Sequence, residues 1–298
     1  MTRDKADHGL PTGDDAQFPD TDRADTRREL DADPAPFSGG QDAFYREAME
    51  LLESAGVPYL VGGAYALRTY TGIERDTKDF DVFILREDVD RALATLASSG
   101  MTATIPFPHW LAKASRGEES LDLIFSSGNG VAGVDESWFS EAAVHEVFGR
   151  PVKVCPIEEI IWSKAFIMER ERFDGADVLH LLHHRAHEIR WDHLLERFGP
   201  NWRVLLAHLV LFGFAYPNDR QRIPHGVVDG LVDRLRRQEA RRPPTGRVCR
   251  GTLLSRAQYL VDIVRWGYND ARLAPHGSLT EEDVERWTAP LEDGEIPR

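Results

Sequence analysis

This 298-residue sequence predicts an α+β fold: a mixed sheet with flanking helices, followed by a helical C-terminal region. Three observations predict it. Between Met101 and Val154 the apolar spacing shortens towards two. From Pro156 onward the spacing changes to that of long helices. A strand, a diglycine and a helix start follow one another at Val61, Gly62 and Gly63, a pattern that opens the first half of the chain.

The elements are expected in this order. Structure begins near Gln41, where Phe44, Ala48, Leu51 and Leu52 recur at helical spacing before Gly56 ends the segment. Pro58 introduces a short apolar strand, Tyr59 to Val61, and the glycines break it ahead of a helix over Ala64–Tyr70. In Lys78–Leu85, Phe80, Val82 and Ile84 alternate with Asp79, Asp81 and Phe83, as a half-buried strand requires. A helix spans Glu87–Ser98. Strands are expected near Met101–Ile105, Trp110–Ala114, Ser120–Phe125, Val144–Phe148 and Val152–Cys155, all completing one mixed sheet. The second half opens with a helix over residues 157–173 and continues through Asp177–His187, Trp191–Arg197, Trp202–Phe212, Val227–Arg237 and Leu253–Trp266. The expected organisation is an acidic disordered tail over 1–39, a first domain over 40–155 and a helical domain over 156–298. The tail is rich in Asp, Pro, Gly and Thr and almost free of large apolar residues.

A chain that is 42% apolar can bury a full core. Its net charge of −14 argues against a broad electrostatic footprint for nucleic acid, though a local one remains compatible. Arg234, Arg236, Arg237, Arg241, Arg242, Arg247 and Arg250 cluster around Pro243 and Pro244. A solvated linker explains them more simply than an RNA or polyphosphate contact. Cys155 and Cys249 match no zinc or redox spacing, so a reducing compartment fits. No apolar run approaches the roughly 20 residues of a membrane span, and the N-terminus lacks the apolar core of a signal peptide. The expectation is a soluble, cytoplasmic protein without a membrane partner.

Residues 61–84 carry the chemistry. Gly62 and Gly63 let the backbone approach an anion, and the first amides of the following helix point at it. Asp79 and Asp81 project from the same strand face, their backbones about 7 Å apart. Two such carboxylates repel unless cations lie between them, and magnesium, which takes one or two carboxylates plus substrate phosphates, relieves that repulsion. Two ions about 3.5–4 Å apart would activate an attacking oxygen and stabilise a leaving pyrophosphate. Asp122, between Leu121 and Leu123, supplies a third acid that is costly to bury unless paired or metal-bound. It is the candidate ligand of the nucleophile-side ion and the candidate acceptor of a hydroxyl proton.

The order Gly62, Gly63, Arg75, Thr77, Asp79, Asp81 and a later Asp122 resembles the polymerase-beta-type nucleotidyltransferase superfamily, over roughly residues 44–185. Ala64 stands where many members have Ser. Residues 155–182, with Lys164, Asp174 and Asp177, are similar to the third motif of AbiEii-like toxin nucleotidyltransferases, with Phe173 where those toxins usually have Arg. The resemblance implies a nucleotidyltransferase-type sheet, a nucleoside triphosphate substrate and two magnesium ions on Asp79, Asp81 and Asp122. It further implies a nucleotide site of Gly62, Gly63, Arg75, Thr77, Lys164 and Asp174, with the Lys164 ammonium neutralising charge on the pyrophosphate.

The implied activity is magnesium-dependent transfer of a nucleoside monophosphate group to RNA, protein or a small molecule. A toxin-like transferase acting on tRNA, with an antitoxin as protein partner, would show a basic surface continuous with the cleft. An antibiotic-modifying transferase would show an acidic acceptor pocket. A catalytically inactive nucleotide-binding or protein-interaction module is the reading from another class, and the intact carboxylate set speaks against it.

Other signals have simpler explanations. His180, His183, His184 and His187 have helical metal-ligand spacing but lack the glutamate of HExxH, and read as a polar helix face. Arg203 and His208 match a short ribonuclease-like pattern of HEPN domains that arises readily by chance. The aromatic residues of 201–217 read as core. Arg256, Tyr259, Asp262 and Arg265 read as one side of an amphipathic helix.

Overall fold

The computed structural model describes residues 41–289 except 76, 78, 243 and 244. The expected acidic tail, Lys78 and the two prolines of the arginine-rich segment lie outside the described residues. The chain has the expected α+β layout: a mixed sheet with flanking helices, then a helical region.

Helix α1, Gln41–Ser54, buries Phe44, Tyr45, Ala48, Met49 and Leu52, one stripe at helical spacing. Strand β1 is only Leu60–Val61 and runs antiparallel to β2, Asp79–Phe83. Helix α2, Gly63–Thr71, starts at once behind β1. Helix α3, Val89–Ser98, leads to the meander of β3 Thr102–Phe107, β4 Leu111–Arg116 and β5 Glu119–Ile124. Strand β5 lies parallel to β2 and antiparallel to β4, giving the order β1-β2-β5-β4-β3.

The two faces of the sheet have different chemistry. Phe80, Val82, Ala112, Ala114, Leu121 and Leu123 are all fully buried. Tyr45 of α1 meets Phe80 at 4.9 Å between ring centres, which places α1 over this face. Because side chains alternate, Asp79, Asp81, Lys113 and Asp122 take the other face.

The expectation of a single sheet holds through β5 and fails beyond it. Strands β6 Val144–Val147 and β7 Arg150–Lys153 form a separate two-stranded hairpin. Phe148 and Gly149, with φ of 55° and 72°, make the tight two-residue turn that suits a hairpin's twist. The short β1 accepts from this segment only the isolated Val61–Val154 bridge. Sequence reading also missed helix α4, Glu136–Glu141, whose Asp135 side chain caps the Ser137 amide.

The long helix expected over 157–173 stops at Lys164, giving α5 Ile157–Lys164. The charged run that follows has no apolar row to bury. Glu169 instead bonds Ser255 and the Arg256 amide, and Arg172 bonds Asp174. Helices α6 Gly175–Arg185, α7 Trp191–Phe198, α8 Trp202–Ala215 and α9 His225–Glu239 follow. Buried Glu158 and Glu159 of α5 tie down α7: Glu158 accepts from the Arg190 amide, and Glu159 pairs with His193 and Arg197.

The helix expected over Leu253–Trp266 is broken. The Ser255 hydroxyl accepts from the Gln258 amide, an alternative to helical bonding, and only Leu260–Val264 forms a short helix, α10. Strands β8 Val248–Cys249 and β9 Asn269–Asp270 pair in parallel. Helix α11, Glu281–Thr288, opens with a capping box between Thr280 and Asp283 and packs on β3. One continuous core runs from Phe44 to Ala271. No described helix is long and apolar enough to cross a membrane.

Candidate active site

The strand registers bring the carboxylates together. Asp81 pairs with Asp122 between parallel β2 and β5, and Asp122 pairs with Lys113 between antiparallel β5 and β4. Cross-strand partners point to the same face, so Asp81, Asp122 and Lys113 form one row across three neighbouring strands. Gly62 extends the row, its amide donating to the Asp81 carbonyl at 2.9 Å. Asp79 sits two residues before Asp81 on the same face.

The diglycine is required by packing. Gly63 has φ +54°, and a Cβ there would lie 1.9 Å from Asp81 Oδ2. A Cβ on Gly62 would lie 2.5 Å from the Phe83 ring. The Asp81 carboxylate therefore rests directly against the start of α2.

Burial and the neighbouring Asp122 charge push the Asp81 carboxyl up to about 7; Asp79 adds to the rise while Lys164 and Arg172 oppose it. Asp122 is 6% exposed. Burial also raises its carboxyl, against the lowering effect of Lys113. The Lys113 ammonium lies 2.8 Å from Asp122 Oδ1 and donates to Oδ2 at 3.1 Å.

A second cluster borders the first. Lys164, at the end of α5, pairs with Asp174 Oδ2 at 2.7 Å and with Asp177 Oδ2 at 2.8 Å. Arg172 forks onto both Asp174 oxygens at 2.8 and 2.9 Å. Arg75 meets Asp177 Oδ1 at 2.5 Å. Burial would raise Asp174, but the Arg172 hydrogen bonds and the Lys164 charge hold its carboxyl down at about 2. Three cations thus face two carboxylates here, and the charges of Lys164 and Arg172 are felt at Asp81.

Of the residues predicted from sequence, Gly62, Gly63, Asp79, Asp81 and Asp122 lie at one end of the sheet. Arg75, Lys164 and Asp174 lie in the adjoining cluster. Thr77 acts locally, its hydroxyl donating to the Asp79 carbonyl at 2.9 Å at the entry to β2. Sequence reading missed Lys113 and Arg172. A signal for Lys113 was present: the turn at Gly117 and Glu118 places positions 113 and 122 at equal distances on the two arms of a hairpin. Arg172 was hidden inside a run read as helix, although it stands one residue from the position where the toxin motif carries Arg.

Among the described residues, no group of three or more His, Cys, Asp or Glu side chains is placed to hold a metal ion. The Asp79–Asp81 pair nevertheless has the donor chemistry of a magnesium site that is completed by substrate phosphates. In the histidine-rich helix, His184 Nδ1 contacts the His180 carbonyl at 2.9 Å. His208 is fully buried on the Ala165 carbonyl, whereas Arg203 is paired outside with Glu239, so the two do not form a joint site. Of the 201–217 aromatics, Trp202 and Phe212 are core residues and Phe214 is 85% exposed.

No family model matches the chain, and no curated protein matches it. Solved structures similar to it include the antibiotic-resistance factor ANT(2'')-Ia, 18% identical over 67% of this chain and 93% of that one, TM-score 0.34. The lincosamide antibiotic adenylyltransferase LnuA is 15% identical over 47% and 94%, TM-score 0.35. JHP933 from Helicobacter pylori is 14% identical over 67% and 96%, TM-score 0.34.

Proposed function

We propose that the chain is a magnesium-dependent nucleotidyltransferase that moves a nucleoside monophosphate group from a nucleoside triphosphate to an acceptor. The observation that carries this reading is the row of Gly62, Asp81, Asp122 and Lys113 across adjacent strands, with Asp79 beside it. Burial and the Asp122 charge raise the Asp81 carboxyl, a repulsion between neighbouring carboxylates that a bound divalent cation would relieve. Asp79 and Asp81 would hold magnesium, which when bound neutralises phosphate oxygens and polarises the phosphorus.

The chain's own groups do the rest. The Gly62–Gly63 backbone and the first turn of α2 receive the phosphates. Lys164, Arg172 and Arg75, already held in place by Asp174 and Asp177, supply charge to the departing pyrophosphate. An acceptor hydroxyl attacks the α-phosphorus in line: its oxygen–phosphorus bond forms as the bond to pyrophosphate breaks. The hydroxyl proton passes to the Asp122 carboxylate. The two-ion arrangement expected from sequence would place a second ion on Asp122, whose oxygens both lie within 3.1 Å of the Lys113 ammonium.

Equilibrium binding of each of the four nucleoside triphosphates, with and without magnesium, tests the reading. Wild type is expected to bind at least one of them in a magnesium-dependent way. Asp81→Asn, which should keep the fold, is expected to lose that dependence. Magnesium-independent binding in wild type, or none, would remove the transfer reading and favour the interaction-module alternative.

A further inference from the structure

Resting on the transfer reading above, we propose that Lys113 is a fixed cation standing in for the nucleophile-side metal ion, so that the site takes one divalent cation rather than two. Lys113 is the cross-strand partner of Asp122 on β4. Its ammonium lies 2.8 Å from one carboxylate oxygen and 3.1 Å from the other. Asp122 is almost fully buried, and a buried carboxylate needs a partner of opposite charge. Lys113 supplies that charge without a metal: it donates to Oδ2, while Oδ1 has no hydrogen-bond partner among the described residues.

The placement also suits the chemistry. The row Asp81–Asp122–Lys113 puts Lys113 on β4, the strand beyond Asp122 from the Asp79–Asp81 pair. A divalent ion on that pair and the ammonium on Asp122 would therefore flank the point where an acceptor hydroxyl meets Asp122. Lys113 keeps Asp122 ionised and oriented toward that hydroxyl, its charge favouring the carboxylate form. It is a positioning residue, acting on the acceptor through Asp122.

Counting bound Mn2+ by the loss of its free-ion paramagnetic resonance signal tests this directly. The full chain is titrated with an equimolar α,β-methylene analogue of whichever triphosphate the binding experiment selects. Wild type is expected to hold one Mn2+ per chain. Lys113→Gln frees Asp122 and is expected to hold two, with line broadening from coupling between the ions. Lys113→Arg keeps the cation and is expected to hold one. Two ions in wild type overturn the proposal, as does one ion in both wild type and Lys113→Gln. If Lys113→Gln fails to fold, the wild-type count and Lys113→Arg still decide. Wild type that binds neither analogue nor Mn2+ overturns the transfer reading itself, and the inference with it, an outcome distinct from the two-ion result.

Discussion

At the scale of single residues, Gly63 and Asp81 form one unit. Positive φ alone would make a side chain at 63 costly by about 1–2 kcal/mol, and the Cβ would also run into the Asp81 carboxylate at 1.9 Å. Gly63→Ala is therefore expected to move that carboxylate and to cost roughly 10²-fold or more in transfer rate, the scale of a 1 Å misplacement. Its melting temperature should fall by a few degrees. A steady-state assay beside a thermal melt checks both, and an unchanged rate would show that the Asp81 position is not critical. The sequence made these residues legible because strand alternation and the diglycine are local signals. Lys113 was less legible: its role depends on which residue faces it across a hairpin, so it emerges only when register is fixed.

At the scale of elements, the carboxylate end of the sheet borders a cluster from α5 and α6 built on the Lys164–Asp174–Asp177 pairs and the Arg172 fork. Removing Lys164 takes one cation from two nearly buried carboxylates that keep Arg172 and Arg75, so Lys164→Met is expected to destabilise the fold by about 1.5–3 kcal/mol. Chemical denaturation checks this, and a loss below about 1 kcal/mol would place the network on the surface energetically.

The Asp174 carboxyl, held at about 2 in the folded state against an ordinary 3.8, gives a pH signature with a definite sign. The unfolded chain binds this proton first as pH falls, so the stabilisation is complete above about pH 4. It is lost between about pH 4 and pH 2, amounting to roughly 2 kcal/mol. Asp174→Asn should lack that part of the acid-unfolding curve while remaining less stable near neutral pH. A mutant curve that parallels wild type across this range would contradict the assignment. Sequence reading ran one long helix from Ile157 through Lys164 up to Asp174. The break after Lys164 follows from tertiary partners, Leu254 and Ser255, about ninety residues away, and no local pattern announces it.

At the scale of the whole molecule, the change from strands to helices near Cys155 was legible from apolar spacing, and we propose it as the boundary between a nucleotide-holding part and a part that shapes the acceptor side. The core is nonetheless shared. Val154, Cys155, Ile157, Ile160 and Ile161 are buried in the same cluster as Leu60, Val61 and Phe80, and the Tyr70 hydroxyl donates to the Cys155 carbonyl. The C-terminal segment returns to the sheet, where Trp287 closes over Gly128 and α11 lies on β3. A fragment ending at residue 155 is expected to show no cooperative thermal transition, and a sharp melt would mean that the first part carries a sufficient core by itself. Long-range closure of this kind is invisible to periodicity, because Trp287 and Gly128 each look ordinary in their own neighbourhoods.

Nucleotidyl transfer by the carboxylate row is distinguished from other chemistry by following α-labelled and γ-labelled triphosphates. Wild type, Asp79→Ala and Asp81→Ala are incubated with magnesium, each labelled triphosphate and a mixture of tRNA, cell protein and small-molecule extract. The account predicts that wild type moves the α label to an acceptor and leaves the γ label in pyrophosphate, with transfer falling by about 10³-fold or more in both variants. Movement of the γ label, equal α transfer in the variants, or no α transfer by wild type would contradict it.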